Sequence, residues 1–395
     1  GVWNWQAIAT AFKDAAYLPS NVVLTSVVVK DGLVALHGAD GQERVRYEDV
    51  QAELSASALD GPYRVRATFG AKGAQRELRL ATSKPESDGA IRLKATLRAN
   101  DTSSQYALDA RIANLMSKVS LDGELTAKLP VAGLWPSETR TPTAEAFDLK
   151  AEIKADAEAL QLGNLSLAFE QDGTPQIITG EISAAWARAL NVEAKLTSRW
   201  LDLDRIAGVG SEAGPLDSLL PFAQRLRDLM PAEGRARASL TVEQANLGHD
   251  VAGGVELILL RNGRDLLIDR FRGLLPGGAR VDMRGTLGGA AESPVFVGAL
   301  DLRGSSLARF TSWASNGLMS SEGKADGSFG LRGQLAIENG RAAIRDVSAE
   351  VSGTALRGTA SYQWGEAREI GLSIEGPQLD MRAFVPAGAD LGDFV

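Results

Sequence analysis

Cysteine is absent from the 395 residues. Disulfides, thiolate metal sites and a cysteine nucleophile are therefore excluded, although the absence does not fix the compartment. Histidine is nearly absent as well: His37 and His249 lie far apart, each beside a glycine. A Ser-His-Asp site would need one of them. No Gly-x-Ser-x-Gly elbow accompanies them, and a lone loop histidine is usually structural or solvated. No apolar run approaches the roughly 20 residues that span a bilayer. The nearest, Val251 to Leu260, is short and broken by Glu256. A secretory leader is not visible, since Gly1-Val2-Trp3-Asn4-Trp5 lacks a basic region and an apolar core. The chain reads as a piece of a longer one, with any membrane anchor outside it. Positive charge is also in deficit. A net charge of −8 argues against a phosphate-tracking surface and against adhesion by charge to anionic membranes. It says nothing against a hydrophobic ligand.

What is present is apolar content and glycine. Hydrophobic residues make up 44%, enough to bury a core. The 42 glycines exceed the usual share of about 7% and suit many tight turns better than long helices. Alternation dominates. Tyr63, Val65, Ala67 and Phe69 alternate with Arg64, Arg66 and Thr68, which places apolar and polar side chains on opposite sheet faces. The same pattern marks strands at Ile91–Leu97, Tyr106–Ile112, Val119–Leu125, Phe147–Ile153, Leu190–Leu196, Ala236–Val242 and Val255–Leu259. Later strands are expected at Val281–Leu287, Val295–Leu300, Leu356–Tyr362 and Ile370–Ile374. Asp-Gly at Asp31, Asp40, Asp60, Asp88, Asp122, Asp172 and Asp326, and Asn-Gly at Asn262, Asn316 and Asn339, tolerate the positive φ angles of hairpin loops. Asp31-Gly32 and Asn262-Gly263 in particular sit between alternating runs, so a meander of consecutive antiparallel strands is the simplest topology.

Helices are few. Asn4 caps an expected first helix with Trp5, Ile8, Ala9, Phe12 and Ala16 on one face. A second follows Pro215, striped by Leu216, Leu219, Leu220, Ala223, Leu226 and Leu229, with Pro221 as a possible kink or late start. A third covers Ser306 to Ala314. Trp3, Trp5, Phe12 and Tyr17 would suit a membrane-interface helix. Packing on the sheet is favoured, because the polar face lacks Lys and Arg.

An internal repeat organises the rest. Leu201-Asp202-Leu203, Leu300-Asp301-Leu302 and Leu379-Asp380-Met381 each end a β-rich stretch. Ile268–Gly285 and Ile344–Gly358 both read strand, glycine turn, alternating strand, then Arg-Gly. The unequal spacing argues against a strict solenoid and for a sheet extended by duplicated hairpin blocks. The expected domains are 1–130, 131–230 and 231–395.

These blocks resemble the AsmA family, the bacterial envelope proteins related to TamB. Leu24 to Leu80, with its Asp31-Gly32 and Asp40-Gly41 turns and the Leu59-Asp60-Gly61-Pro62-Tyr63 step, looks like the family's opening domain. The Leu-Asp-Leu units and the Leu275-Pro276-Gly277-Gly278-Ala279 turn resemble its C-terminal region. The resemblance implies an inner-membrane anchor, a periplasmic body, and a long curved antiparallel β-sheet whose apolar concave face guides phospholipid acyl chains toward outer-membrane biogenesis. A role in outer-membrane protein assembly or targeting, without lipid conduction, is the alternative it leaves open. The transmembrane helix of the family is missing from this sequence.

The expected fold is therefore mainly β: hairpin blocks of one long curved sheet forming a groove, with a few short helices. About twenty strands at ~4.8 Å each would span about 100 Å as one sheet. The lipid-groove candidates are Val65, Phe69, Leu93, Leu97, Val281, Met283, Val295 and Leu300. Which strand parity faces a ligand, and whether the face is a core or a groove, stay open at this level. No enzyme, cofactor or nucleic-acid partner is expected. Asp202 and Asp204 would be too few oxygen ligands for calcium and suit helix capping better. Gly317 to Lys324 is one residue too long for a phosphate loop, and Ala325 replaces its Ser or Thr. A secreted glycan-binding or hydrolytic β protein ranks last.

Overall fold

The computed structural model describes residues 23–37, 43–58, 61–71, 74–99, 104–114, 118–130, 144–171, 174–207, 214–263, 265–290, 293–317, 319, 326–338, 340–364 and 369–377. The expected helix after Asn4, the Asp40-Gly41 and Asp172-Gly173 turns, and the third Leu-Asp-Leu unit lie outside them. The protein is mainly β, with 20 strands in sheet and short helices among the described residues. It groups into two compact units that divide between Phe169 and Glu170.

The first unit holds β1 (Leu24–His37), β2 (Glu43–Ala56), β3 (Tyr63–Ala71), β4 (Ala74–Thr82), β5 (Ile91–Ala99), β6 (Gln105–Ala113), β7 (Ser120–Pro130), β8 (Ala144–Ala155) and most of β9 (Ala159–Gln171). From β1 to β8 each strand is antiparallel to the next. Every strand expected in this unit forms where the alternation places it. Two Asp-Gly pairs correct the reading. Asp31-Gly32 is not a hairpin but lies inside the 14-residue β1, where Lys30 and Asp31 bulge between the Val29–Ala52 and Gly32–Val50 pairs. Asp31 carries the bulge at φ 52, a region that Asp and Asn tolerate better than most residues. Asp122-Gly123 is mid-strand in β7, facing Ala110, and a Cβ on Gly123 would stand 2.3 Å from the Asp109 carbonyl oxygen. Close strand approach, not a turn, requires that glycine. A second bulge sits on β2, with Asp49 at φ 51, so that Glu48 and Gln51 flank a register shift against β3.

The second unit contains β10 (Thr174–Ala185), β11 (Asn191–Asp202), α1 (Leu203–Ala207), α2 (Pro215–Leu229), β12 (Arg235–Leu247), β13 (Asp250–Asn262), β14 (Leu266–Leu275), β15 (Ala279–Ala290), β16 (Ser293–Gly304), α3 (Leu307–Ala314), β17 (Phe329–Glu338), β18 (Arg341–Val351), β19 (Thr354–Gln363) and β20 (Glu369–Glu375). The meander is broken once: β11 and β12 are parallel. Parallel neighbours need a crossover, and α1 with α2 supplies it. From β12 to β20 the strands are antiparallel in sequence order. The two repeat blocks are the hairpins β14–β15 and β18–β19. Each has a register shift just after its leading isoleucine, Ile268 or Ile344.

α2 runs unbroken through Pro221. Pro215 starts it, and the Asp217 carboxylate accepts from the Gly214 N–H at 2.8 Å. Its inner residues Leu216, Ala223 and Leu226 pack on a sheet core of Leu259, Leu266, Ile268, Leu287, Phe296 and Leu335. Arg261 of β13 donates to the Arg227 and Met230 carbonyls at its C-terminus, and the buried Arg227 donates to Gly289 O at 3.1 Å. A cation at that end also favours the helix dipole. Ser306 caps α3 by accepting from Arg309 N at 3.2 Å. Trp313 Nε1 donates to Leu247 O at 2.9 Å, and Phe310 stacks on Phe329 with centroids 5.2 Å apart. Gly277, at φ 80, accepts from Ser306 N at 3.0 Å; a Cβ there would lie 2.5 Å from Ser306 O.

Candidate functional site

Directly opposed residues in an antiparallel pair share a face, so the register shows where each candidate points. In the first unit Val65 opposes Leu54 and Leu80. The row continues through Ala95, Leu108, Leu125 and Ala151 on β5 to β8. Phe69, Leu93 and Leu97 lie on this same face, Leu97 between Leu78 and Tyr106. The other face carries Lys94 opposite Asp109, then Glu124 and Glu152. One face is apolar across eight strands; the other is charged.

From β3 to β7, burial on the apolar face falls on small residues. Ala67, Ala99, Ala110, Ala127 and Ala151 are buried, whereas Val65, Phe69, Leu93 and Leu97 between them are half-buried. Val65, Phe69, Leu93 and Leu97 shade the alanines and themselves stay partly open to solvent, whereas Phe147 and Phe169 at the β8–β9 end are buried. No helix occurs among the described residues of this unit. Aromatic pairs sit along the same face: Tyr47 meets Phe69 edge to face at 5.1 Å, and Phe147 packs on Phe169 at 4.8 Å. On the charged face Lys94 Nζ lies 2.8 Å from Asp109, and Arg111 bridges to Glu86 at 3.1 Å and to Asp88. The Ala90 N–H and then the Arg111 guanidinium hold the Asp88 carboxyl below its usual range.

In the second unit Val281, Met283 and Leu300 also share the apolar face, since Met283 opposes both Phe271 and Leu300, and Val281 opposes Leu302. Here the face is covered. Val281 is 7% exposed, and Met283 and Leu300 pack against the core beneath α2. Val295 does not belong with them. It opposes Gly288 and Glu338 on the other side of β16, next to Val297, which is 52% exposed. Leu300 and Val295 differ in parity on a regular strand and cannot line one surface. Leu78, Leu80, Leu108, Leu125 and Leu149 complete the first unit's face; the alternation of Leu78 and Leu80 with Glu77 and Arg79 is the signal that finds β4.

The two aspartates of Leu201-Asp202-Leu203-Asp204 are structural ties. Asp202 Oδ1 accepts from Arg205 N at 3.1 Å and from Asn246 Nδ2 at 3.0 Å, capping α1. Asp204, 3% exposed, accepts from Ser218 Oγ at 2.6 Å, Gly248 N at 2.8 Å and His249 N at 2.9 Å. Ser218 thus donates to the carboxylate itself and not to the His249 ring, the reverse of a nucleophile-base-acid relay. His37 ends β1. Leu300-Asp301-Leu302 differs from its sequence counterpart: Asp301 stands on the charged face against Arg332 at 2.7 Å.

Comparison of the chain with family models, with curated proteins and with solved structures finds no match.

Proposed function

We propose that the protein is a non-catalytic, AsmA-like periplasmic scaffold, anchored to the inner membrane by a segment outside this chain. In this reading it holds or conducts phospholipid acyl chains toward the outer membrane. The observation that supports it is the first unit's open apolar face, continuous over eight strands and backed by a charged face. The driving force is passive. A methylene leaving water contributes about 0.8 kcal/mol, so ten on this face give about 8 kcal/mol. That is within the roughly 4–15 kcal/mol lost in immobilising a ligand. A single chain is therefore held weakly and is free to slide, while its headgroup stays in water. β1 to β8, at ~4.8 Å per step, offer about 34 Å of such surface.

Native mass spectrometry of protein gently extracted from bacterial membranes tests this. Phospholipid adducts are expected on the wild type. Leu93→Asp together with Leu97→Asp removes them, and Val295→Asp, on the side of β16 away from the second unit's core, leaves them in place. A clean apo mass for the wild type under the same conditions would overturn the proposal.

A further inference from the structure

The exposed large apolar side chains of this protein gather most densely on one strand. Val27, Val28, Val29, Leu33 and Val34 of β1 are each 43–56% exposed. They occupy both faces of one 14-residue strand whose neighbour among the described residues is β2. An uncovered edge presents unpaired N–H and C=O groups to any strand that matches it. Lysine and a bulge are the usual protections of such an edge, and β1 has both at its centre, Lys30 and the Asp31 bulge.

From the pattern around that bulge we infer that β1 is the seat of a second copy of this chain, paired antiparallel, β1 against β1, about a two-fold axis between Lys30 and Asp31. The bulge moves the apolar face from Val27 and Val29 to Val34, which opposes Tyr47. Residues 27 and 34 therefore share a face although one is odd and the other even. Only a register whose paired numbers sum to an odd value then matches face to face along the strand. With the axis between Lys30 and Asp31, Val27 meets the partner's Val34 on the apolar face, and Val28 meets the partner's Leu33 on the charged face. Lys30 meets the partner's Asp31 twice over. Shifting the register by two residues sets both charges against valine, leucine or glycine. Asp31 is already oriented by Gln51, whose Nε2 donates to Asp31 Oδ1 at 2.7 Å. Equal bulges face each other, so the ladder resumes on both sides. Because like faces meet, the apolar faces of the two copies join into one.

The missing cysteines make the test clean. Val28→Cys and Leu33→Cys are prepared as separate full chains, both at exposed positions, and mixed under mild oxidation. Directly opposed Cα atoms about 4.5–5.5 Å apart lie within the disulfide range of ~4.4–6.8 Å. Two copies of Val28 would stand five residues apart along the ladder, about 17 Å. The mixture is expected to give a covalent dimer, each variant alone very little. Lys30→Glu, which faces the partner's Asp31 with like charge, is expected to cut the cross-linked yield at least about tenfold. Equal cross-linking by Val28→Cys alone would overturn the register. A chain that sediments as a monomer and gives no cross-link in the mixture would overturn the pairing, and would assign the edge to another segment of the same chain or to a different protein.

Discussion

The two units share one alternation but not one interior. In the second, Leu201, Leu247, Leu266 and Leu287 are among the largest fully buried side chains, and none of that class lies among the described residues of the first. The first unit's fully shielded apolar positions are mostly alanines such as Ala99 and Ala110, at 2% and 3% exposure. The cause is the roof. α2 enters the second unit through the parallel step between β11 and β12 and lays Leu216, Ala223 and Leu226 on the sheet. Periodicity thus specifies which side chains share a face, while an inserted amphipathic helix decides whether that face becomes core or surface.

The largest effect that would test this contrast is a matched pair of truncations. Leu266→Ala, at a site 0% exposed beneath α2, is expected to cost about 3–4 kcal/mol, within the range for buried leucine. Leu93→Ala, on the half-buried face, is expected to cost about 1 kcal/mol, since less area and no sealed cavity are involved. Urea denaturation of the full chain, followed region by region with hydrogen exchange, reads both. Equal costs would mean that the first unit's face is also covered.

Next comes the fastening of the roof. Arg261→Ala removes the donor to the Arg227 and Met230 carbonyls, and leaves both less satisfied at the helix end. A loss of about 2 kcal/mol is expected, with exchange speeding up in α2 and beneath it but not in β3 to β8. Arg261→Lys recovers part of the loss, because one ammonium can reach a carbonyl but lacks the guanidinium fork.

Sidedness was the legible part of this molecule, and coverage was not. Tyr63–Phe69 and Tyr106–Ile112 announce their faces because Arg64, Arg66 and Thr68 in one, and Asp109 and Arg111 in the other, stand between their apolar residues. β16 does not: Val295, Val297 and Ala299 put apolar side chains on the outer face too, so Val295 and Leu300 look equivalent in sequence. Asp-Gly was ambiguous for a physical reason. The same positive φ serves a hairpin turn and a bulge, as at Asp31, and the same missing Cβ serves a turn and a close strand approach, as at Gly123. α2 was visible from its stripe after Pro215, yet the stripe carries no address. The parallel register of β11 and β12 shows that a crossover is needed, and the packing of Leu216, Ala223 and Leu226 shows which face it covers.

Smaller effects separate the charged faces from the apolar ones. Lys94→Ala breaks the 2.8 Å pair with Asp109, but both side chains are well exposed, at 73% and 54%. A change below about 0.5 kcal/mol is expected, shrinking further in high salt. A larger loss in urea titrations would mean that this ladder, and not the apolar rows, holds the first unit's strands together.

The smallest effect expected is a pH response confined to the second unit. The Ser306 hydroxyl, followed by the N–H groups of Ala308 and Gly327, holds the Asp326 carboxyl below its ordinary value. Asp326 Oδ1 accepts from Ala308 N at 3.2 Å and Gly327 N at 2.9 Å, so the carboxylate fastens the first turn of α3 to the chain entering β17. A carboxyl whose folded pKa lies below its unfolded one contributes fully above the unfolded value, near 4, and loses that contribution as pH falls through the folded value. As pH falls below about 4 the start of α3 should therefore loosen. Because Asp326 is exposed, solvent screens the effect and the helix should fray without unfolding the sheet. The Trp313 indole N–H, donating to Leu247 O from the same helix, is the reporter: its exchange should quicken on acidification in the wild type. Asp326→Asn keeps an oxygen acceptor but cannot titrate, so its exchange should already be raised at neutral pH and change little in acid. An acid response of the same size in that variant would place the sensitive group elsewhere and leave α3 indifferent to Asp326.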